Sequence, residues 1–430
     1  MNSVLHQSVP IQKKQLFHYF NAHFNSLFYF DSNEFTDTKF NLSKFDCLFA
    51  GGVADEITAN ANSLEKLRAF IDKHKGKWMA GFISYDVKNE IENIKSTNEY
   101  RVQFPSLHFI VPQTVVKIKG DEQLVYNYGN ADYEITGSEK YFVANECEIL
   151  FGGVSGLKPK IDKEKYLQKI EAIKKHIQLG NIYEMTFCNE FFAEDIIINP
   201  EKVFWKLQSL SPAPFSCYVK TGDKYLISSS PERYLCKRGN KIYSQPIKGT
   251  VKRGNNAVED EQLKHQLLNS EKERVENVMI VDLVRNDLSR IAELSSVNVE
   301  ELFGIYSFST VHQMISTVSC EVNKQIAFTD IIHAAFPMGS MTGAPKIKAM
   351  QLIDEFEETK RGLFSGTVGY IDPDGDFDFN VVIRSILFDA KKKNVSVQTG
   401  GAITINSNAE QEYEETLLKL KAMQEALQLF

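Results

Sequence analysis

No run of apolar residues approaches the roughly 20 that span a bilayer. The N-terminal stretch MNSVLHQSVPIQKKQLF also lacks the apolar core of a signal peptide. Disulfide and zinc signatures are missing too. Six cysteines stand at 47, 147, 188, 217, 236 and 320 with no C-x-x-C among them. In a chain of 430 residues they read as reduced core thiols, and the expected compartment is the cytoplasm. There is no general basic field, since the net charge is -7. That argues against nucleic acid as a partner and requires an anionic substrate to be met by locally placed positive charge. Repeats, low-complexity tracts and an obvious linker are absent.

What remains is ordinary globular material, 43% apolar and 24% charged. The nearest thing to a seam is the polar, Gly-rich stretch Gly152-Gly153-Val154-Ser155-Gly156-Leu157-Lys158-Pro159, which separates an N-terminal region (1–150) from the region 160–430. After it comes a helix from Asp162 to Leu179, capped by Asp162, striped by Tyr166, Ile170, Ile173 and Ile177, and ended by Gly180-Asn181. Two hairpins are predicted: Leu226–Lys237 with Lys241–Ile247 around Gly239-Asn240, and Phe377–Phe388 with Val395–Ile405 around Lys391-Lys392-Lys393. Strands and helices mix without βαβ regularity, which predicts a large antiparallel α+β fold.

Two acidic pairs stand out. Glu273 and Glu276 open one helix and Glu412 and Glu415 another, each pair three residues apart and so on one helix face. Ser270 with Glu273 also satisfies a plain capping box. Two such pairs from distant segments can instead meet around one hard cation, and magnesium suits an all-carboxylate set. Lys248, in Pro246-Ile247-Lys248-Gly249-Thr250, falls within about one register step of Glu232 when the first hairpin is counted back through its turn. A part-buried lysine beside a carboxylate has the makings of an activated amine and a proton donor, although a structural ion pair has the same pattern. In the second hairpin the count sets Arg384 opposite Gly400. Arg384 could clamp a carboxylate, and Gly400-Gly401-Ala402 would let backbone N–H groups approach an anion. The loop Phe336–Lys346 lacks the G-x-x-x-x-G-K-[ST] order, which rejects a nucleotide P-loop. His312, alone in an apolar strand, reads first as a satisfied core histidine.

Pro246–Thr250, Glu273–Asp287, Phe336–Met350, Gly366–Tyr370 with Phe379–Arg384, and Gly400–Thr416 occur in an order and spacing that resembles the chorismate-utilising enzymes. The likeness is dense from about residue 160 onward and thin before it, at FYFDS (28–32) and GFISYD (81–86). It implies a single unit of two large, mostly antiparallel sheets flanked by helices, as in anthranilate synthase component I. It implies Mg2+ held by Glu276 and Glu415 with Glu273 and Glu412 in support, and chorismate as substrate. Gly249, Thr250, Ser340, Thr342, Gly400, Gly401, Ala402 and Lys419 would face that substrate. Tyr370 and Arg384 would take its pyruvyl carboxylate. His312 falls on an active-site histidine of the family, which displaces the core reading.

Lysine at 248 is typical of the branch that aminates C4 of chorismate and keeps the pyruvyl group. Alanine there is typical of anthranilate synthases. The resemblance implies Lys248 as nucleophile at C2, Glu232 as proton donor to the leaving hydroxyl, and 4-amino-4-deoxychorismate as product, for p-aminobenzoate and folate. Burial is expected to lower the lysine pKa and free its lone pair. Ammonia would come from a separate glutaminase subunit, because the chain has no Gly-rich nucleophile-cysteine motif. Alternatives are anthranilate formation with pyruvate loss, and isochorismate or salicylate formation. Glu184 stands where the aminating enzymes usually carry glutamine, and a glutamate there could serve as a base for water. Ala402 replaces the last glycine of a Gly-rich run and would be strained if its backbone needed φ > 0.

Overall fold

A computed structural model describes residues 3–7, 12–35, 39–128 and 156–428. The capped helix after the seam forms as Lys163–Gln178. Asp162 accepts the Lys165 N–H, and Tyr166, Ile170 and Ile173 are buried. Gly180 follows at φ +75°, the left-handed conformation that ends helices. Among the described residues, no helix is long and apolar enough to cross a membrane.

Two antiparallel sheets, one of twelve strands and one of ten, make up the architecture. Strands from before and after the seam share both. Ser26–Asp31 pairs with Phe215–Thr221 in the first sheet, and Met79–Ile83 pairs with Thr367–Ile371 in the second. Ser26–Asp31 is buried along its whole length, which its alternation explains. Phe28 and Phe30 join one core, where Phe82, Phe109 and Phe379 of the second sheet also pack. Leu27 and Tyr29 point the other way, against the helices that carry Phe17, Phe20 and Phe204. Both faces of the first sheet are therefore covered, each fully buried aromatic contributing about 1.5–3 kcal/mol by area removed from water.

Neither predicted hairpin is one continuous ribbon. The stretch 226–237 divides into Lys224–Ser230 in the first sheet and Arg233–Arg238 in the second, with Pro231 and Glu232 between them. The stretch 377–388 divides into Phe377–Asn380 in the second sheet and Ser385–Asp389 in the first, with 381–384 between. These strands pair on both sides of the crossing. They are tied at the crossing itself by the Val381 N–H to Glu232 C=O bond (3.0 Å), the Ser229 N–H to Arg384 C=O bond (3.1 Å) and the Ser230 hydroxyl to Val381 C=O bond (2.6 Å). Two adjacent chain segments thus pass together from one sheet to the other. Glu232 and Arg384 sit where they change sheets, and Arg384 does so at φ +52°, a strained backbone for a non-glycine residue.

Candidate active site

A cavity of about 870 Å³ opens beside this double crossing. Its wall carries Glu232, Lys248, Gly249, Thr250, Glu273, Glu276, Ser340, Arg384, Gly400, Gly401, Ala402, Glu412, Glu415 and Lys419. Fourteen residues expected from six separate stretches of the chain therefore meet at one place. Its size lies within the usual range for small-molecule sites.

Each side chain owes its place to a local feature. Lys248 lies on Ile247–Lys252, which pairs with Val311–Glu321 through a register shift between Ile247 and Thr250. Gly249 occupies that irregularity at φ +93°, where an added Cβ would stand 3.0 Å from the Glu273 carboxylate. Only glycine lets the strand bulge so close to the acid. Glu273 and Glu276 project from the helix Glu271–Ser289, whose Ser270 cap accepts the Glu273 N–H at 3.4 Å. Glu412 and Glu415 lie on Ala409–Gln428. Gly400 and Gly401 form bare backbone in Asn394–Ile403. A Cβ at Gly401 would stand 3.1 Å from Glu412 Oε2 and 3.7 Å from Glu415 Oε1. Ala402 has no positive φ, so no strain arises at the substituted glycine.

The electrostatics follow from crowding. Burial pushes the Glu232 carboxyl up to about 7, against the pull of the Ser340 hydroxyl at 2.6 Å, the Lys248 charge and the Ile247 N–H. Burial likewise raises Glu276 to about 7 and moves Glu273 and Glu412 upward. Glu415 is the exception: burial favours its neutral form, but Lys419 at 2.7 Å holds it below the usual range. Burial lowers Arg384, with Glu415 opposing. The expectation that burial depresses Lys248 is not met. Burial does act downward there, but Glu184, Glu276, Glu232 and Glu273 together outweigh it and hold the ammonium form.

The carboxylates are a fitting set for a hard dication, though not yet a closed one. Glu276 Oε1 is buried without a hydrogen-bond partner, and the Gly401 cradle leaves room in front of Glu412 and Glu415. Among the described residues no three acids already converge on one metal position. The Lys272 ammonium stands between two of them instead, 3.9 Å from Glu276 and 3.8 Å from Glu412. Its side chain is 51% exposed, so it can swing into solvent without disturbing the core.

Three expected residues lie elsewhere. His312 is fully buried and does not line the cavity. One ring nitrogen meets the Ser307 hydroxyl at 2.9 Å and the other Asp260 at 2.8 Å. Strand alternation turns its neighbour Gln313 into the cavity, opposite Thr250, with Oε1 buried and unmatched. Tyr370 packs against Phe30, Phe45 and Trp78, beside a separate cavity of about 50 Å³. Phe364, which was not expected, lines the cavity together with Arg384. Thr342 turns its hydroxyl back onto the carbonyls of Met338 and Gly339, at 3.2 Å each. Adjacent residues on Val311–Glu321 face opposite ways, and the pairing of Thr250 with Gln313 decides which of them meets the cavity. Lys272 was hidden by ordinariness, as one more lysine on a helix start. Phe364 lies outside any strand or helix, so no local periodicity marks it.

A family model described as chorismate binding enzyme matches residues 28–425. The chain is 33% identical over 362 residues to aminodeoxychorismate synthase component 1 of Bacillus subtilis, covering 81% of this chain and 76% of that one. It is also 33% identical over 350 residues to anthranilate synthase component 1 of Saccharolobus solfataricus, covering 81% and 80%. In three dimensions it resembles the crystal structure of anthranilate synthase component I from Streptococcus pneumoniae, with a TM-score of 0.75 and 28% identity, covering 88% of this chain and 91% of that one. Equal identity to two enzymes of different name means that overall likeness does not select a product.

Proposed function

The chain belongs to the chorismate-binding enzyme family, and we propose that it aminates chorismate at C4 to give 4-amino-4-deoxychorismate. The observation that carries this reading is Lys248, held in the cavity wall among carboxylates that include Glu232, whose carboxyl burial raises to about 7. An amine and a carboxylic acid facing one substrate supply a nucleophile and a general acid together.

In this reading Arg384 clamps the pyruvyl carboxylate, and Phe364 covers the substrate ring from the same wall. The N–H groups of Gly400, Gly401 and Ala402 face the ring carboxylate. Glu276 and Glu415, supported by Glu273 and Glu412, would hold Mg2+, which supplies charge neutralisation to a carboxylate when bound. Glu232, neutral up to about pH 7, gives its proton to the 4-hydroxyl as that group leaves. Ser340 orients the acid through its 2.6 Å bond. Ammonia comes from a separate glutaminase subunit, and the product leads to p-aminobenzoate and folate in the cytoplasm. A second reading, anthranilate with release of pyruvate, keeps the support of the equal identity to the Saccharolobus solfataricus enzyme.

The deciding experiment incubates the protein with chorismate, magnesium and ammonium and identifies the product by mass. Aminodeoxychorismate without pyruvate is expected. Anthranilate plus pyruvate would replace the first reading with the second, and isochorismate would replace both. Lys248→Ala is expected to lower amination by about 10²-fold or more. An undiminished rate removes the covalent role of the lysine.

A further inference from the structure

Lys272 stands where helix rules do not favour a lysine. It falls in the first turn of Glu271–Ser289, at the positive end of the helix dipole, where acids are favoured and cations are not. Its partner on the same helix, Glu276, lies four residues further on, the poorer order for such a pair. The helix therefore does not account for this residue, whereas the acids of the cavity do. Lys272 lines the cavity, with its ammonium 3.9 Å from Glu276 Oε1 and 3.8 Å from Glu412 Oε1. Both gaps exceed hydrogen-bond reach, so the contact balances charge without matching an oxygen. Glu276 Oε1 itself is buried with no hydrogen-bond partner among the described residues. Buried carboxylate oxygens are normally matched, and this one suits a cation that comes closer than the ammonium does. Lys419 is the contrasting case. Its ammonium is bonded at 2.7 Å to the Glu415 carboxylate and at 2.7 Å to the Gly400 carbonyl. Lys419 is pinned, but Lys272, half exposed and held by charge alone, is free to leave.

We propose that Lys272 is a tethered counter-ion: it neutralises Glu276 and Glu412 in the metal-free protein, swings into solvent when a divalent cation binds, and so sets the cation affinity of the site. This rests on the reading of the four glutamates as a magnesium site. Mg2+ binds carboxylate oxygens at about 2.0–2.1 Å and keeps water on its remaining positions. A dication on Glu276 and an ammonium 3.9 Å from the same carboxylate repel each other, and the ammonium has solvent to move into. A monovalent ion would gain little by the exchange, since it replaces a charge of equal size, whereas a dication gains one unit. The lysine stem keeps the displaced ammonium close to the cavity, ready to return when the metal leaves.

The test is calorimetric titration of Mg2+ alone into the full chain, with no chorismate present. Lys272→Met keeps the apolar stem and removes the charge. It is expected to tighten the Mg2+ Kd by about five- to tenfold, the worth of two part-exposed ion pairs that no longer have to be broken. Lys272→Arg keeps the charge and should bind Mg2+ no more tightly than the parent. Removing any nearby positive charge favours a cation to some degree, so a second measurement reads the movement itself. Acetylation of Lys272 in the parent, followed by mass spectrometry against the exposed Lys75, should about double in rate when Mg2+ is added, as a half-exposed side chain becomes free in solvent. A labelling rate that Mg2+ leaves unchanged overturns the proposal. An arginine variant that binds as tightly as the methionine variant overturns it too. The two failures are distinguishable: no Mg2+ binding by parent or variant removes the cation site and the proposal with it, whereas binding by both with equal Kd removes only the part played by the lysine.

Discussion

Asp260 shows what a single buried contact can decide. Its carboxylate accepts both the Arg253 guanidinium, at 2.8 Å, and a His312 ring nitrogen, at 2.8 Å. With Ser307 on the other nitrogen, both nitrogens of the imidazole are engaged and neither faces the cavity. His312→Ala should therefore lower stability, by about 1–3 kcal/mol for the bonds left unmatched, without a matching loss of kcat in the protein that remains folded. Denaturant melts and kcat measured side by side check this, and a catalytic defect without a stability loss would return His312 to the chemistry. The resemblance pointed to the right strand here, but a one-residue difference in facing separates His312 from Gln313. Which of two adjacent residues faces a site depends on the register with Ile247–Lys252, which contains a bulge. No count along a single strand includes that.

At the scale of elements, Asn394–Ile403 against Glu184–Ala193 is the tightest seam in the site. A Cβ at Gly400 would stand 2.1 Å from the Phe187 carbonyl oxygen and 2.7 Å from Cys188 Cα, both backbone atoms. At Gly401 the nearest atom is the end of the Glu412 side chain, at 3.1 Å. Gly400→Ala is expected to part the two strands and reduce soluble yield or melting temperature sharply. Gly401→Ala should fold but raise the chorismate KM. Thermal melts with KM measurements check the contrast, and equal effects at both positions would contradict it. The glycines themselves were legible as a place of close approach. The helices with their caps and acidic faces were legible as well, because capping and i,i+3 spacing are local. The two divided strands were not: only the partners on either side of residues 231–232 and 381–384 show that each stretch changes sheet.

For the molecule as a whole, buried acids tie stability to pH. Glu232 and Glu276 are both raised to about 7 by burial, above the ordinary glutamate value. A raised acid contributes stability that is complete below its unfolded pKa and is lost as pH rises through the folded one. The window of loss therefore runs from the ordinary glutamate range to just above 7. Glu232→Gln keeps the neutral shape at every pH. Its melting temperature should match the parent near pH 5 and exceed it by about a few degrees near pH 8. A constant difference across that range would show that Glu232 is ionised throughout. The α+β class and the gathering of separate segments into one site were legible from order and spacing. How strands from both sides of the seam interleave was not, because long-range pairing leaves no local trace.

The double crossing has a further consequence. The Glu232 carbonyl accepts the Val381 N–H and the Arg384 carbonyl accepts the Ser229 N–H, each from the opposite segment, so altering either disturbs the frame as well as the chemistry. Lys248 and Glu184 sit at the starts of strands, outside the two segments that change sheets. Side chains there can be exchanged without rethreading anything. The molecule thus separates a fixed grip from replaceable tools. New reactions on the same substrate would then arise by refitting two positions, while the hand that holds it stays as it is.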